Sequence, residues 1–459
     1  MKHIDVKEIV DRKANYIGKT VTVCGWVRTS RDSKNVAFLE INDGTTLKHI
    51  QAVLDKNSIG DYLRYMPLCS AVAVTGECVR SENNPDNVEI NAKTVVLLGE
   101  CPLEYPIQKK PQTLEFLRTI PHLRVRTNTF NAMFRIRSKL SEAIHRYFQE
   151  RNYTYVHTPI ITGSDCEGAG EVFKVTSIGY SSRYKSEKEY YEADFFGRQA
   201  GLTVSGQMEG EVMAMALGKI YTFGPTFRAE NSNTSRHAAE FWQIEPEVAF
   251  AEIDDIIDIA AEMIKYIIQY VLDNCKDELN LFEKFYEKGL IQKLTSVVES
   301  DFARVDYTEA VKVLKESGKG FQYPVDWGCD LQTEHERYLT DEVYRRPVFV
   351  VNYPKKLKSF YMKQNPDGKT VAATDLLVPG VGEIIGCSER ENDYGKLLQA
   401  ITDRNMKVSD YEHYLDLRRF GSVPHSGFGL GLERMLMYLT GIGNIRDTAI
   451  YPRAKSELK

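Results

Sequence analysis

Short runs in which apolar and polar residues alternate dominate the first hundred positions of the chain. Turn residues separate five such runs, which occupy residues 20–27, 36–43, 50–55, 70–79 and 88–98. An alternation with a period of two is typical of β-strands that bury one face. A short helix is predicted at 58–66, between the third and fourth runs. Five short strands in this length predict a small Greek-key barrel over residues 1–101.

The pattern changes after this barrel, whose strand number and length fit the OB type. Four prolines among polar residues predict a hinge or linker over 102–125. Residues 128–151 then carry apolar side chains at helical spacing, namely Phe134, Ile136, Leu140, Ile144 and Phe148. A long helix therefore opens the second domain, which we place at 126–459.

Strand-like and helical stretches alternate through this second domain. Strands are predicted at 155–161, 220–227, 241–250, 348–352, 359–363, 372–378 and 383–388. Helices are predicted at 252–285, 393–407 and 431–439, the first of them within a helical insert at about 252–318. Strands joined by hairpin loops, with helices outside, predict an α+β fold built on an antiparallel sheet.

Size and charge narrow the class of protein. A chain of 459 residues is too long for one compact core and indicates two or three domains. Its net charge of −5 argues against a protein that binds nucleic acid through backbone charge alone. If RNA is a partner, local patches and stacked bases must recognise it.

Neither a membrane protein nor a disulfide-rich secreted protein is indicated. No apolar run approaches the roughly 20 residues of a membrane span, and the N-terminal residues carry charges where a signal peptide is apolar. The eight cysteines are scattered and form no CxxC pair, which argues against a zinc knuckle and a disulfide framework. We therefore expect a cytoplasmic protein with free thiols.

A first candidate for chemistry is the segment 224–247, GPTFRAENSNTSRHAAEFWQIEPE. Arg228 ends an apolar strand, and a polar loop with Arg236 and His237 follows. One face of the returning strand carries three residues, Phe241, Gln243 and Glu245. Arginine can bind phosphate through two hydrogen bonds, a phenyl ring can stack on a base, and Glu230 can hold an amine. The segment suits a nucleotide, although a solvated hairpin with surface ion pairs has the same pattern.

A second candidate is the segment 425–441, HSGFGLGLERMLMYLTG, in which three glycines precede an amphipathic helix. The third glycine is one position early for a dinucleotide fingerprint, and the acidic residue expected about 20 positions later is missing. We interpret the glycines as positions of close backbone approach. Arg434, on the first turn of the helix, could then reach a triphosphate. A helix packed through its leucines, with Arg434 solvated, is the competing interpretation.

A third candidate is the segment 374–390, TDLLVPGVGEIIGCSER. Asp375 and Glu383 flank a Pro-Gly turn and could face each other across a hairpin. Two carboxylates near phosphate-binding arginines suggest Mg²⁺ held through carboxylates and phosphate oxygens. A general acid/base pair is a second functional interpretation, and ordinary strand-edge charges are the third.

In this order and spacing, the three segments resemble motif 2, motif 3 and the intervening strands of the class II aminoacyl-tRNA synthetases. The helix and strand at 134–161, which contain Thr158 and Pro159, resemble motif 1, which builds a homodimer interface in that family. The N-terminal barrel makes the chain similar to the subgroup of aspartyl, asparaginyl and lysyl enzymes. The resemblance covers nearly the whole chain. It implies an OB-type anticodon-binding barrel, a class II catalytic domain, and ATP, Mg²⁺ and tRNA as ligands.

This resemblance implies a role in ATP binding for each motif residue. Arg228 would contact the α-phosphate and stabilise the transition state. Arg434 and His237 would hold the γ-phosphate, and Arg434 would also have a catalytic role. Glu230 would meet the adenine amine, while Phe241 would stack beneath the ring. Mg²⁺ would be carried by two carboxylates, Asp375 and Glu383.

The barrel segment 25–43 resembles the anticodon reader of the same family. Phe38 would stack on the central uridine, Gln51 would bind the edge of that base, and Arg31 would contact a neighbouring nucleotide. Barrels of this kind usually read single-stranded bases by stacking them on aromatic side chains. A core position for Phe38 is the competing interpretation.

The substrate amino acid is suggested by a further set of matched positions. Ser205 and Gln207 resemble the strand that binds the α-amino group, and Glu167 resembles the mobile loop that closes over it. Arg390 resembles the arginine that holds the side-chain oxygen of the substrate.

Two departures from the aspartyl pattern favour an amide over a carboxylate. Aspartyl enzymes have a lysine at the position of Gly210 and an aspartate at that of Glu245. A carboxylate substrate would lose that lysine and face Glu245, whereas an amide offers its oxygen to Arg390 and its NH₂ to Glu245. Asparagine, with its tRNA, is therefore the expected substrate.

Several alternatives stay open from the sequence. A relaxed aspartyl enzyme that charges two tRNAs is disfavoured by Gly210 and Glu245. A catalytically silent RNA-binding paralogue is disfavoured because the motif residues are intact, and a free-standing amide synthetase should lack the barrel. Solvated surface is expected for the insert at 252–318 and for the charged stretch at 181–193.

Overall fold

The computed structural model describes residues 2–82, 84–164, 172–179, 184–232 and 234–458. The chain forms two compact units, Met1–Ala132 and Met133–Lys459. No helix within the described residues is long and apolar enough to cross a bilayer.

A closed five-stranded barrel forms the first unit. A short helix, α1 (Val6–Asp11), precedes the strands β1 (Thr20–Asp32), β2 (Val36–Asn42), β3 (Ile50–Asp55), β4 (Ala71–Arg80) and β5 (Val88–Gly99). The barrel order is β1-β2-β3-β5-β4, and only the β3–β5 pair is parallel. Alternate residues of each strand point inward, so that Val23, Leu39 and Leu54 are fully buried. The predicted OB-type barrel is confirmed.

The helix predicted at 58–66 is wrong, since this segment contains only a single 3₁₀ turn, Tyr62–Tyr65. Asp61 has a φ of 50°, a left-handed conformation that interrupts a right-handed helix. The predicted hinge at 102–125 contains two short helices, α2 (Leu114–Thr119) and α3 (Pro121–Arg124).

Strands of the second unit belong to two sheets. In chain order they are β6 (Thr154–Tyr155), β7 (Ile161–Thr162), β8 (Lys174–Val175), β9 (Ala200–Leu202), β10 (Lys219–Phe227), β11 (Glu240–Ala249), β12 (Ala303–Asp306), β13 (Val348–Val351), β14 (Ala373–Val378), β15 (Gly382–Glu389) and β16 (His425–Gly431). The large sheet has the order β12-β13-β14-β15-β16-β11-β10-β6 and is parallel only at its two edges. A small sheet has the order β7-β9-β8.

Helices cover this sheet and fill the space around it. They are α4 (Asn128–Gln149), α5 (Glu187–Glu192), α6 (Gln207–Leu217), α7 (Ile253–Asn274), α8 (Lys276–Phe285), α9 (Leu290–Glu299), α10 (Tyr307–Glu316), α11 (Thr333–Arg337), α12 (Tyr394–Asp403), α13 (Glu412–Arg419) and α14 (Leu432–Thr440). The long helix α4 buries the predicted stripe of Ile136, Leu140 and Ile144. Antiparallel sheet with external helices confirms the predicted α+β class.

The stretch predicted as a solvated insert contributes to the core instead. Helix α7 begins at a capping box of Glu252 and Asp255 and buries Ile264, Ile267 and Ile268. The strand β12 from the same stretch pairs in parallel with β13 at one edge of the large sheet.

Two other predicted strands are wrong in extent. The strand at 155–161 is split into β6 and β7, and Pro159 lies between them, where it cannot donate a hydrogen bond to a ladder. The segment 359–363 has only an isolated bridge between Met362 and Arg390. Its successive residues Phe360 and Tyr361 are both buried, so the alternation of a half-buried strand is absent there.

Candidate active site

One face of the large sheet carries a cavity of about 350 Å³. The strands β11, β15 and β16 lie side by side beneath it. Because side chains alternate along β11, Phe241, Gln243 and Glu245 all point into this cavity, as predicted. The lining also includes residues from the β10–β11 loop, from β14, from the segment 357–362, from the start of α6 and from the start of α14.

Arg228 and Phe241 lie together at one end of the cavity. Phe241 is paired with Thr226 on β10, and Arg228 follows the end of that strand. The guanidinium of Arg228 lies 5.4 Å from the centre of the Phe241 ring. Its Nη1 atom is 3.9 Å from a carboxylate oxygen of Glu230. An aromatic face beside a guanidinium and a carboxylate can stack a base, contact a phosphate and accept from an amine.

His237 and two further arginines lie near the same end. Nδ1 of His237 is 2.8 Å from the Ser232 hydroxyl and 2.7 Å from the Thr234 hydroxyl. Burial lowers the pKa of His237, and the positive charges of Arg434 and Arg236 lower it further. The ring is therefore neutral at pH 7 and can donate to an anion from Nε2 while Nδ1 accepts from a hydroxyl.

Asp375 and Glu383, the two carboxylates singled out in the third segment, line the cavity, each beside a cation. Lys358 Nζ lies 2.8 and 2.6 Å from the two carboxylate oxygens of Asp375. Arg434 Nη1 lies 3.2 Å from Glu383. Burial raises the pKa of Asp375, whereas Arg434, Lys358 and Arg236 together hold the pKa of Glu383 below its usual value despite its burial. Asp375 and Glu383 thus bring two negative charges to one site, flanked by three cations.

The space between these carboxylates suits a cation. A bulge in the β14–β15 pair falls between Leu376 and Leu377, and it turns Asp375 and Glu383 toward the same glycine. A Cβ on Gly386 would lie 3.5 Å from Glu383 Oε1 and 3.6 Å from Asp375 Oδ1. No cluster of three or more metal-ligating side chains occurs in the described residues. Two carboxylates supplemented by substrate oxygens are the donor set that Mg²⁺ uses with phosphates.

The other end of the cavity is lined by Ser205, Gln207 and Glu245. Glu245 accepts hydrogen bonds from the Ser205 hydroxyl, from the backbone N–H of Gly206 at 2.9 Å and from the Thr222 hydroxyl at 3.1 Å. The Gln207 amide donates to Glu211, while its buried Oε1 has no hydrogen-bond partner among the described residues. An amide oxygen without a donor, on a residue that lines the cavity, suits a ligand that carries N–H groups.

Arg390 lies beside this group and belongs to a buried charge network. Its Nε and Nη2 atoms donate to the two carboxylate oxygens of Glu247, and its Nη1 donates to the Ser388 hydroxyl. Glu211 in turn lies 2.7 Å from Arg418 Nη2 and 2.8 Å from His425 Nε2. Burial and the nearby Glu211 raise the pKa of Glu247 to about 7, although Arg390 opposes this shift.

The three glycines that precede the helix in the second segment are strand residues, which the sequence did not predict. They lie in β16, between β15 and β11, and none of them has a positive φ. A Cβ on Gly427 would overlap the Glu247 carboxylate, and a Cβ on Gly429 would come within 3.2 Å of the Gln243 amide. The predicted close approach is confirmed at Gly427 and Gly429, whereas the Cβ position at Gly431 is open. The space at Gly427 and Gly429 is occupied by neighbouring side chains. Arg434, at the start of α14, lines the cavity.

The three predicted anticodon residues lie on the outer face of the barrel. Arg31 is paired with Phe38 across β1 and β2, and its guanidinium lies 4.4 Å from the centre of the Phe38 ring. Phe38 is half-buried, between the inward-facing Ala37 and Leu39. A core position for Phe38 is therefore wrong. Gln51, on β3, donates to Glu89 at 2.9 Å.

Most residues singled out from the sequence lie either in the cavity or on the outer face of the barrel. Glu167 lies outside the described residues, as do positions 181–183 of the charged stretch, and α5 forms only Glu187–Glu192 of the remainder. Cavity and network residues for which no role was predicted include Lys358, Glu211, Glu247, Ser388, Arg418 and His425. Glu247 follows Gln243 and Glu245 at alternate positions of the same strand, and this alternation does place it on their face. Lys358 and Glu211 are distant in sequence from the motifs and gave no such signal.

Comparison with known proteins shows to which family the chain belongs. The family model for tRNA synthetases class II (D, K and N) matches residues 113–455, and the model for an OB-fold nucleic acid binding domain matches residues 21–98. The chain belongs to the class II tRNA synthetases of the D, K and N group. Residues 113–455 of this class II synthetase include every cavity residue described above.

Relatives of this class II synthetase match over its whole length. It is 53% identical to the asparagine–tRNA ligase of Clostridium novyi over 457 residues, which is 99% of this chain and 98% of the relative. It is 51% identical to the asparagine–tRNA ligase of Bacillus cytotoxicus, with the same coverage.

Solved structures agree with these sequence relatives. The asparaginyl-tRNA synthetase of Pyrococcus horikoshii complexed with asparaginyl-adenylate superposes with a TM-score of 0.89 and 34% identity, covering 100% of this synthetase and 99% of that chain. The asparaginyl-tRNA synthetase of Entamoeba histolytica, also complexed with asparaginyl-adenylate, gives a TM-score of 0.82 with 26% identity and covers 96% and 97% of the two chains.

Proposed function

We propose that this chain attaches asparagine to its tRNA in two steps, through an asparaginyl-adenylate. The observation that carries the proposal is one cavity with a nucleotide end at Arg228 and Phe241 and an amino-acid end at Gln207 and Arg390. Whole-length identity to asparagine–tRNA ligases and the fold shared with an asparaginyl-adenylate complex support the same substrates.

In the first step the asparagine carboxylate attacks the α-phosphorus of ATP, and pyrophosphate leaves. Arg228 stabilises the charge that develops on the α-phosphate, and Phe241 stacks on the adenine, whose amine donates to Glu230. His237 and Arg434 hold the γ-phosphate. No side chain has to act as a nucleophile, so catalysis consists of positioning and charge stabilisation. In the second step a ribose hydroxyl of the tRNA attacks the adenylate carbonyl, and AMP leaves.

Mg²⁺ would be held by Asp375 and Glu383, whose carboxylates flank Gly386. When bound, the ion supplies positive charge to the phosphate oxygens. Lys358 and Arg434 offset the charges of the two carboxylates in its absence, since they lie within 3.2 Å of them.

Selection of the amide rests on Arg390 and Glu245. The amide oxygen accepts from Arg390, and the NH₂ donates to Glu245, whose carboxylate already accepts three hydrogen bonds and has capacity for one more. Ser205 and Gln207 would hold the α-amino group, with Glu167 closing over it.

Anticodon reading is assigned to the outer face of the barrel. Phe38, with Arg31 stacked on it, offers a platform for a base, and the Gln51 amide offers hydrogen bonds to the edge of that base.

The proposed oligomeric state follows the family pattern, with a homodimer in which α4 and the segment after it form the interface. Ile160 and Ile161 are 45% and 44% exposed, as an interface segment would be. The seven described cysteines form no disulfide, which suits a reducing cytoplasm.

ATP–pyrophosphate exchange measured with asparagine and with aspartate tests the proposal directly. Exchange with asparagine alone, followed by charging of the asparagine tRNA, is the expected result. Comparable exchange with both amino acids would replace the proposal with a relaxed aspartyl enzyme. Absence of exchange with either would replace it with a silent paralogue. Sedimentation of the purified chain at twice the monomer mass would support the dimer.

A further inference from the structure

Lys358 lines the cavity beside the carboxylates proposed for Mg²⁺, and its side chain is only 16% exposed. Its Nζ atom lies 2.8 Å from Oδ1 and 2.6 Å from Oδ2 of Asp375, so that one ammonium spans both oxygens of that carboxylate. The same nitrogen lies 3.9 Å from the centre of the Tyr353 ring, which offers it a cation–π contact. Both contacts favour a positive charge at this point of the cavity.

The backbone around Lys358 is held on both sides. A 3₁₀ turn, Lys355–Leu357, precedes it, and the N–H of Lys355 donates to the carbonyl oxygen of Lys369 at 3.0 Å. The carbonyl oxygen of Lys358 itself accepts from Arg404 Nη2 at 2.9 Å. Because the backbone is already ordered, placing the ammonium in the cavity costs only the conformational freedom of one side chain.

Other charged groups at this end of the cavity have partners of their own. Arg434 Nη1 lies 3.2 Å from Glu383, and Arg236 Nη1 lies 3.5 Å from Glu336. Asp330, a further acid near this end, is exposed to solvent. Since Arg434 is the arginine proposed for the γ-phosphate, ATP would offer it a second anion. In the free chain, each of the two carboxylates proposed for the metal therefore already faces a cation of the protein.

We propose that Lys358 is a positioning residue that keeps Asp375 from binding a divalent cation in the free chain, so that the site takes its metal only together with ATP. An ammonium across both carboxylate oxygens repels a second cation and takes lone pairs that Mg²⁺ would otherwise use. The phosphate oxygens of ATP bring further ligands and negative charge, which offset that repulsion. The inference rests on the metal role proposed for Asp375 and Glu383, and it adds the residue that sets the order of binding.

Titration of the free chain with Mn²⁺, without ATP or amino acid, tests the inference, and the electron paramagnetic resonance signal of the unbound ion is the readout. Lys358→Met keeps a long side chain and removes its charge. We expect the Kd for Mn²⁺ to be lower in this variant than in the wild type by about tenfold or more, because a cation beside the metal has been removed. A merely structural role would leave the affinity unchanged or weaken it, and either result would overturn the proposal.

Two further variants locate the gained affinity. Asp375→Asn added to Lys358→Met should return the Kd to the wild-type value, and a gain that persists in the double variant would overturn the proposal. Lys363→Met is the matched control, since Lys363 pairs with Glu389 and neither residue lines the cavity. It should have the wild-type Kd. An equal gain in Lys363→Met would reveal a general effect of charge and would also overturn the proposal.

The inference stays testable if Lys358→Met does not fold. Lys358→Gln then replaces it, because glutamine can still donate to Asp375 and carries no charge. If this variant fails as well, the wild type decides. Binding of Mn²⁺ to the free chain that Asp375→Asn weakens would overturn the proposal, and binding that Asp375→Asn leaves unchanged would support it. Failure of the wild-type chain to exchange with asparagine would instead overturn the proposed function.

Discussion

At the scale of single residues, Arg228 carries the clearest expectation. Arg228→Ala should lower kcat/KM for ATP–pyrophosphate exchange by about 10²- to 10³-fold, because it removes a cation from the α-phosphate where charge develops. The melting temperature should stay close to that of the wild type. Arg304→Ala, which removes an arginine from an exposed pair with Asp254, is the matched control and should have normal exchange. Near-normal exchange in Arg228→Ala would refute the assignment of the nucleotide end.

Glu245 combines two tasks, because its carboxylate holds the N-terminus of α6 and faces the amino-acid end of the cavity. Glu245→Gln should weaken asparagine binding by roughly 10- to 150-fold, since a hydrogen bond to a charged acceptor contributes about 1.5–3 kcal/mol. The KM for asparagine in exchange measures this. Thr222→Val, which removes one hydrogen bond to Glu245 without altering its charge, should have a smaller effect. An unchanged KM in Glu245→Gln would rule out amide recognition by this residue.

Residue types in short segments are enough to predict much of the cavity. Arg228, Phe241, Glu245, Asp375, Glu383, Arg390 and Arg434 all lie in three contiguous stretches, and all line the same cavity. Lys358 and Glu211 were not identified, because they reach the cavity or its support from elements distant in sequence. The packing of those elements brings Lys358 to Asp375 and Glu211 to Arg418. No local sequence pattern indicates these pairs.

At the scale of elements, the alternating strands and the amphipathic helices were predictable, and the glycine-rich strand was not. β-Strand propensity is low for glycine, so residues 425–431 resemble a loop when they are read alone. The strand exists because β15 and β11 pair with it on both sides. The strand conformation of residues 425–431 therefore depends on neighbouring strands that are distant in sequence.

Gly427→Ala tests the packing of that strand. The added methyl would overlap the Glu247 carboxylate and should lower the free energy of unfolding by about 1–3 kcal/mol, the usual cost of overpacking. Urea unfolding followed by circular dichroism measures this. Gly431→Ala is the matched control, since the Cβ position at Gly431 is open and its φ is −76°, and it should change stability by less than about 0.5 kcal/mol. Equal stability of the two variants would contradict the packing described for β16.

At the scale of the whole molecule, the residues proposed for anticodon reading and those proposed for activation lie in different compact units. Phe38→Ala should therefore weaken tRNA charging by about 1–3 kcal/mol through lost stacking and leave tRNA-independent exchange unchanged. Leu39→Ala offers a contrast, because Leu39 is fully buried and its truncation should destabilise the barrel itself. Equal losses of charging and exchange in Phe38→Ala would contradict a role in RNA reading.

The pairing of Gly427 with Glu247 has a consequence for how this sequence can change over evolutionary time. The Glu247 carboxylate, on the neighbouring strand, occupies the space that a side chain at position 427 would need. The side chains at the two positions therefore have to fit into one fixed volume. A larger residue at 427 becomes tolerable only after the side chain at 247 shortens. Glu247→Asp should accordingly act as a second-site suppressor of Gly427→Ala, and the two positions should covary among relatives.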